Sequence, residues 1–144
     1  MPATRQTTVI IVVLLTFAAF SMWSLATGAD YLGQVLPGGL PLGNALAATC
    51  LCALAAAAVG LSVRGTALRR VALVALTATA AWLPVSILLA GNLALNFTGN
   101  RGDIWLMLSL AVTAVVLATL AWALIAAFAV ACRRLASKHE APRQ

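Results

Sequence analysis

The chain has very little charge. Asp, Glu, Lys and Arg make up 8% of its 144 residues, against about 25% in an average soluble domain. Hydrophobic residues reach 63%, above the usual level of about 45–50%, and the mean hydropathy is +1.04. So few charges are not enough to cover this apolar surface in water. The composition therefore excludes an ordinary soluble domain and predicts an all-α integral membrane protein, for which the bilayer is the solvent.

Groups that hold metals and cofactors are scarce. The one histidine, His139, lies in the polar tail, and no long apolar run contains Asp, Glu, Lys, Arg or His. Haem in a membrane needs an axial ligand in a span, and zinc sites need clustered ligands. The cysteines Cys50, Cys52 and Cys132 are interpreted as small apolar residues. We expect no metal, no cofactor and no catalytic residue, and we do not expect an enzyme.

The net charge of +6 does not indicate nucleic-acid binding. The basic residues flank apolar runs and form no basic stripe interleaved with aromatic residues. The lipid bilayer itself, with anionic head groups, is the expected partner of these charges. Five arginines are the candidates for head-group contact: Arg64, Arg69, Arg70, Arg133 and Arg134.

Four apolar runs predict four transmembrane helices in a single domain, 1–144. They cover residues 9–26, 44–63, 71–91 and 104–132, and a basic tail, 133–144, follows them. The first run has 18 residues, longer than the core of about 7–15 residues in a cleaved signal peptide, so we interpret it as a span. The fourth run is longer than a bilayer requires, which predicts that it tilts or projects beyond the membrane.

The distribution of positive charge predicts the orientation. Eight of the nine Lys/Arg residues fall in the N-terminal lead, the tail and a basic hinge at residues 62–70, and only Arg101 lies in the other two loops. Positively charged loops stay in the cytoplasm. We therefore expect an up-down bundle with both termini cytoplasmic and two exterior loops rich in Gly and Asn. The Ala-, Leu-, Val- and Arg-rich usage is typical of a bacterial protein, here of the plasma membrane.

Three groups of residues are candidates for a role. Ala48, Cys52, Ala56 and Gly60 recur every four residues and predict a close-packed face on the second span. Pro84 predicts a kink in the third span, because it lacks an N–H and clashes with the carbonyl group four residues earlier. The exterior loops supply a candidate polar cap, in which an Arg101–Asp103 ion pair is expected: Asp30, Asn92, Asn96, Arg101 and Asp103.

The sequence leaves the function open between three hypotheses. The leading one is a non-catalytic accessory or scaffold subunit that packs against other subunits of a larger membrane protein complex. The second is a small transporter or channel that acts as a homo-oligomer. The third is a lipid-binding protein or membrane enzyme that acts at the outer leaflet through the polar cap. Comparing the first two spans with the last two reveals no convincing internal repeat.

Overall fold

The computed structural model describes residues 2–139, with no side-chain detail at 2–4, 134–135 and 137–139. Four helices account for most of this range: α1 (Pro2–Thr27), α2 (Leu42–Leu61), α3 (Ala67–Ala90) and α4 (Arg101–His139). A 3₁₀ turn, Asp30–Gly33, lies between α1 and α2. All four helices begin before the apolar runs that predict them, because helical hydrogen bonding continues into the polar flanks.

Local sequence explains where the helices begin and end. The Thr66 hydroxyl accepts a hydrogen bond from the Arg69 N–H and so caps α3. Gly91, with φ of 74°, ends α3 in the left-handed conformation that glycine adopts without strain. Because α3 begins at Ala67, only residues 62–66 of the basic hinge are non-helical, and Arg69 and Arg70 belong to the first turn of α3.

All four helices are long and apolar enough to cross a membrane. This confirms the prediction of an all-helical protein with four spans and indicates a multi-pass membrane protein. Consecutive helices run antiparallel. On α2, Cys50 donates to the Ala18 carbonyl of α1 and Gly60, further along, faces Ile11. We call the end with the hinge the basic end and the end with the two long loops the loop end.

Helix α2 is the centre of the bundle. It alone packs extensively against the three other long helices of the described range. Its buried residues are mostly small: Ala48, Cys50, Ala53, Leu54, Ala55, Ala57 and Ala58. Lipid provides little hydrophobic force between helices, so small side chains stabilise the bundle by letting neighbouring backbones approach closely.

The four residues predicted to form a packing face differ in their surroundings. Ala48 is buried, Cys52 and Ala56 are half-buried, and Gly60 is exposed. Gly60 nevertheless packs against α1, since a Cβ atom there would lie 3.0 Å from Cγ1 of Ile11. Three neighbours surround α2, so small residues are buried around most of its circumference and not along one stripe.

Buried hydroxyl groups bond within their own helices. Ser21 donates to the Phe17 carbonyl at 2.8 Å, Thr119 to Val115 at 2.6 Å, and the other buried Ser and Thr residues follow the same pattern. Every buried side-chain nitrogen or oxygen in the described residues has a partner. The interior therefore meets the requirement that polar groups in a membrane be satisfied inside the protein.

Helix α3 continues without a break through Pro84. Neighbouring hydroxyl groups do not replace the hydrogen bond that this proline removes from Ala80: Ser86, for example, donates to the Trp82 carbonyl. The kink at Pro84 stays a prediction.

Candidate functional site

Two tryptophans and two serines join α3 to α4 through reciprocal hydrogen bonds. The indole N–H of Trp82 donates to Ser109 at 2.9 Å, and that of Trp105 donates to Ser86 at 3.0 Å. Each serine then donates to the carbonyl group of the tryptophan on its own helix, Ser109 to Trp105 and Ser86 to Trp82. We call these four residues the Trp–Ser clasp.

The sequence contains a signal for the clasp that the comparison of its two halves missed. Residues 82–86 read WLPVS and residues 105–109 read WLMLS, so each helix carries Trp and Ser four positions apart. In an antiparallel pair, two copies of this spacing place each Trp opposite the Ser of the other helix. The repeat therefore lies between spans three and four.

The clasp positions the loop end of the bundle. The ring centroids of Trp82 and Trp105 are 6.3 Å apart, and Phe97, from the α3–α4 loop, stacks on Trp105 at 5.0 Å. All the hydroxyl protons and indole N–H groups of the clasp are used within it. Its chemistry is that of a structural staple, with no free nucleophile or base.

Asparagine side chains organise the loop between α3 and α4. Asn92 donates to the carbonyl groups of Ala90 and Asn96 and accepts from the Asn96 N–H at 3.0 Å. These bonds hold Leu95 buried at a φ of 56°, which is costly for a residue with a Cβ atom. Leu93 lies against Gly38 of the other long loop, so the two loops contact each other.

The residues of the predicted polar cap divide into two groups. Asn92 and Asn96 lie together, whereas the side chains of Asp30, Arg101 and Asp103 form no hydrogen bond or ion pair with any described residue. The expected Arg101–Asp103 ion pair is therefore wrong. Both residues lie exposed in the first turn of α4, where water competes effectively with a surface pair. A joint role for the cap stays a prediction.

At the basic end, Arg69 has a role inside the bundle. Its Nη1 donates to the carbonyl groups of Val59 at 3.3 Å and Ser62 at 3.4 Å. A cation at the C-terminal end of a helix satisfies unpaired carbonyl groups and the negative end of the helix dipole. Arg69 thus caps α2 from α3. The other candidates for lipid contact, Arg64, Arg70 and Arg133, are exposed, and the side chain of Arg134 lies outside the described residues.

An apolar cavity of about 560 Å³ opens between the basic hinge and α4. We call it the hinge cavity. Leu61, Val63 and Leu68 line one side, and α4 contributes the other wall. That wall consists of Trp122, Ala126, Ala127 and Val130. A cavity of this size falls in the range of about 300–1,000 Å³ that is common for small-molecule sites.

A second, smaller apolar cavity of about 240 Å³ lies in the loop-end half of the bundle. Met22 and Leu25 of α1, Cys50 and Leu54 of α2, and Leu117 of α4 are among the residues that line it. It has no charged lining residue.

Helix α4 has two contrasting faces. Val116, Thr119, Leu120 and Ala123 are buried against the bundle. On the opposite face, Ala114, Ala118 and Ala121 are exposed. Large exposed residues flank these alanines on both sides along the helix: Met107, Leu110, Ile125 and Phe128. The middle of the outward face is therefore a shallow depression made of alanines, which we call the alanine face.

The part of the chain that the structure describes contains no group of three or more His, Cys, Asp and Glu residues placed to hold a metal ion. Comparison with known protein families, with curated proteins and with solved structures finds no significant match to this chain.

Proposed function

We propose that the protein is a non-catalytic accessory or scaffold subunit that packs against other subunits of a larger membrane protein complex. The observation that supports this role is the alanine face. Ala114, Ala118 and Ala121 do not contribute to the buried side of α4, yet they carry the small-residue spacing with which membrane helices approach one another. A partner helix placed there would gain dispersion contacts that lipid chains form less well.

The interior of the bundle supports a structural role. The hydroxyl groups of Ser21, Ser86 and Thr119 are used in hydrogen bonds to their own helices. The clasp likewise uses its polar atoms internally. The chemistry that the bundle offers to a partner is therefore apolar surface and shape.

The proposed setting is the plasma membrane of a bacterium, with both termini and the basic hinge cytoplasmic and the two long loops outside. The support is the charge distribution. In the sequence, the two long loops and the start of the fourth span carry Arg101 together with Asp30 and Asp103, and the other eight basic residues fall in the N-terminal lead, the hinge and the tail.

Purification of the tagged, full-length protein from its native membrane in a mild detergent tests the proposal. We expect the wild type to elute in a stoichiometric complex with at least one other membrane protein. Ala114→Leu with Ala118→Leu fills the alanine face and is expected to release the protein from this complex. The matched control is Ala80→Leu with Ala81→Leu, two exposed positions on α3, which should leave the complex intact.

Recovery of the wild type alone, as a monodisperse monomer, would reject the accessory role. A complex that contains only copies of this chain would instead support the homo-oligomeric transporter or channel, and flux of ions or small amphiphiles into liposomes would then test transport. The small apolar cavity in the loop-end half is the feature that favours the third hypothesis, lipid binding at the outer leaflet. Alanine at Asp30, Arg101 and Asp103 with an unchanged phenotype would remove that hypothesis.

A further inference from the structure

The hinge cavity combines an apolar interior with a basic rim. Its α4 wall runs from Trp122 to Val130, about 12 Å along the helix axis. Arg133 follows one helical turn beyond Val130. On the opposite side, Arg64 lies between the lining residues Val63 and Thr66. A ligand that fills the cavity from the basic end therefore has its apolar part beside α4 and its outer end beside exposed arginines.

We propose that the hinge cavity is a binding site for one anionic phospholipid of the surrounding membrane. An acyl chain would lie against Leu61, Leu68 and Trp122. The phosphate group would lie among Arg64, Arg133 and Arg70, which follows the lining residue Ala67 by about one helical turn. This proposal does not depend on the accessory role, because the alanine face lies on the outward side of α4 and is not part of the cavity wall.

Charge complementarity identifies the ligand as anionic. Arg64, Arg70 and Arg133 are exposed, and the structure gives none of them an acidic partner within the described residues. Asp30 and Asp103, the two acidic residues of the described range, both lie at the loop end. Arg69 uses Nη1 to cap α2, which fixes the hinge that forms one wall. A zwitterionic lipid carries a positive charge in its head group, which the arginines of this rim would repel, so it would bind here less tightly than an anionic lipid.

Native mass spectrometry of the purified, full-length protein tests the site. The protein is equilibrated with equal amounts of phosphatidylglycerol and phosphatidylcholine, and the retained lipid is counted. We expect one phosphatidylglycerol per chain in preference to phosphatidylcholine. Each basic residue near an anionic group contributes roughly a fivefold factor in affinity. Arg64→Gln with Arg70→Gln is therefore expected to lower the preference by about 25-fold.

Two controls separate this site from general attraction of anionic lipid. Arg5→Gln removes one positive charge from the basic end, at a residue of α1 that does not line the cavity, and should leave the preference unchanged. Ala126→Phe fills the cavity and should remove the retained lipid, whichever head group it carries. Where Ala126→Phe does not yield a folded protein, Val130→Phe at the more exposed end of the cavity serves the same purpose.

Equal retention of the two lipids by the wild type would overturn the proposal. Undiminished retention of phosphatidylglycerol in a folded cavity-filling variant would also overturn it. A reduction by Arg5→Gln as large as that of Arg64→Gln alone would show nonspecific attraction only, which contradicts a site. The Ala114→Leu and Ala118→Leu variant should retain its lipid, so failure of the accessory role and failure of the lipid site are distinguishable.

Discussion

Trp82 and Trp105 each combine a large apolar ring with one N–H donor, and in a bilayer that donor finds no water. The structure satisfies both donors with serines on the neighbouring helix. Each serine hydroxyl group in turn donates a hydrogen bond to a backbone carbonyl group of its own helix. At the level of single residues, the indole N–H groups of the clasp serve helix association, whereas the serine hydroxyl groups donate within their own helices.

Trp105→Phe should weaken the clasp without removing its aromatic packing. The phenyl ring can still stack on Phe97, but the hydrogen bond to Ser86 is lost. We expect the free energy of unfolding in micelles to fall by about 1 kcal/mol, since hydrogen bonds between membrane helices average about 0.6 and reach about 1.7 kcal/mol.

A double-mutant cycle with Ser86→Ala isolates the hydrogen bond, and Trp23→Phe, at a tryptophan 70% exposed, is the matched control. A zero coupling energy between positions 86 and 105 would show that the Trp105–Ser86 hydrogen bond adds nothing to stability.

Among the helices, α2 determines how closely the others approach. Ala55, Ala57 and Ala58 are fully buried, and their small side chains leave room for helices on several sides. Gly60 marks a close approach of α2 to α1, because a Cβ atom there would lie 3.0 Å from Cγ1 of Ile11. The distance between α2 and its neighbours therefore depends on the small size of these side chains.

Gly60→Leu should separate the basic ends of α1 and α2. A Cβ atom alone lies 3.0 Å from Cγ1 of Ile11, and the rest of a leucine side chain cannot fit without movement. We expect a loss of about 1–3 kcal/mol in the free energy of unfolding, the usual cost of overpacking.

Ile11→Ala in the same chain creates space and should recover part of that loss. A loss in the Gly60→Leu and Ile11→Ala double variant equal to the sum of the two single losses would show that the two side chains do not meet.

For the molecule as a whole, charge asymmetry and the alanine face are the features that relate the bundle to its surroundings. The arginines of the basic end occupy three different positions in the structure. Arg69 caps α2, Arg64 and Arg70 are exposed at the hinge, and Arg133 is exposed on α4. We therefore expect the proposed orientation of the chain in the membrane and the stability of the bundle to draw on different arginines.

Replacing Arg64, Arg69 and Arg70 together by Asn should give a mixed topology, because the hinge then loses the charges on which its proposed cytoplasmic position rests. Reporter fusions at the C-terminus measure the fraction in each orientation. Arg64→Asn with Arg70→Asn leaves the Arg69 cap intact and should shift the orientation less. A uniform, unchanged orientation in the triple variant would show that the other basic segments alone set direction.

The sequence by itself determined the fold class and the number of spans. Runs of about 20 apolar residues without charge have one stable form in lipid, the helix, since every backbone group must be satisfied locally. The charge bias is also a property of the sequence, and so is the pair of Trp–Ser spacings at 82–86 and 105–109.

Only the tertiary structure decided which small residues face inward. The alanines of α4 share helical spacing with its buried residues, yet Ala114 and Ala118 point outward while Val116 and Leu120 are buried. In an apolar helix all faces have similar hydrophobicity, so the sequence pattern does not predict which face packs against the bundle. The Arg69 cap and the hinge cavity could not be predicted from the sequence either. Both arise where segments distant in the sequence meet: the end of α2, the start of α3 and the far part of α4.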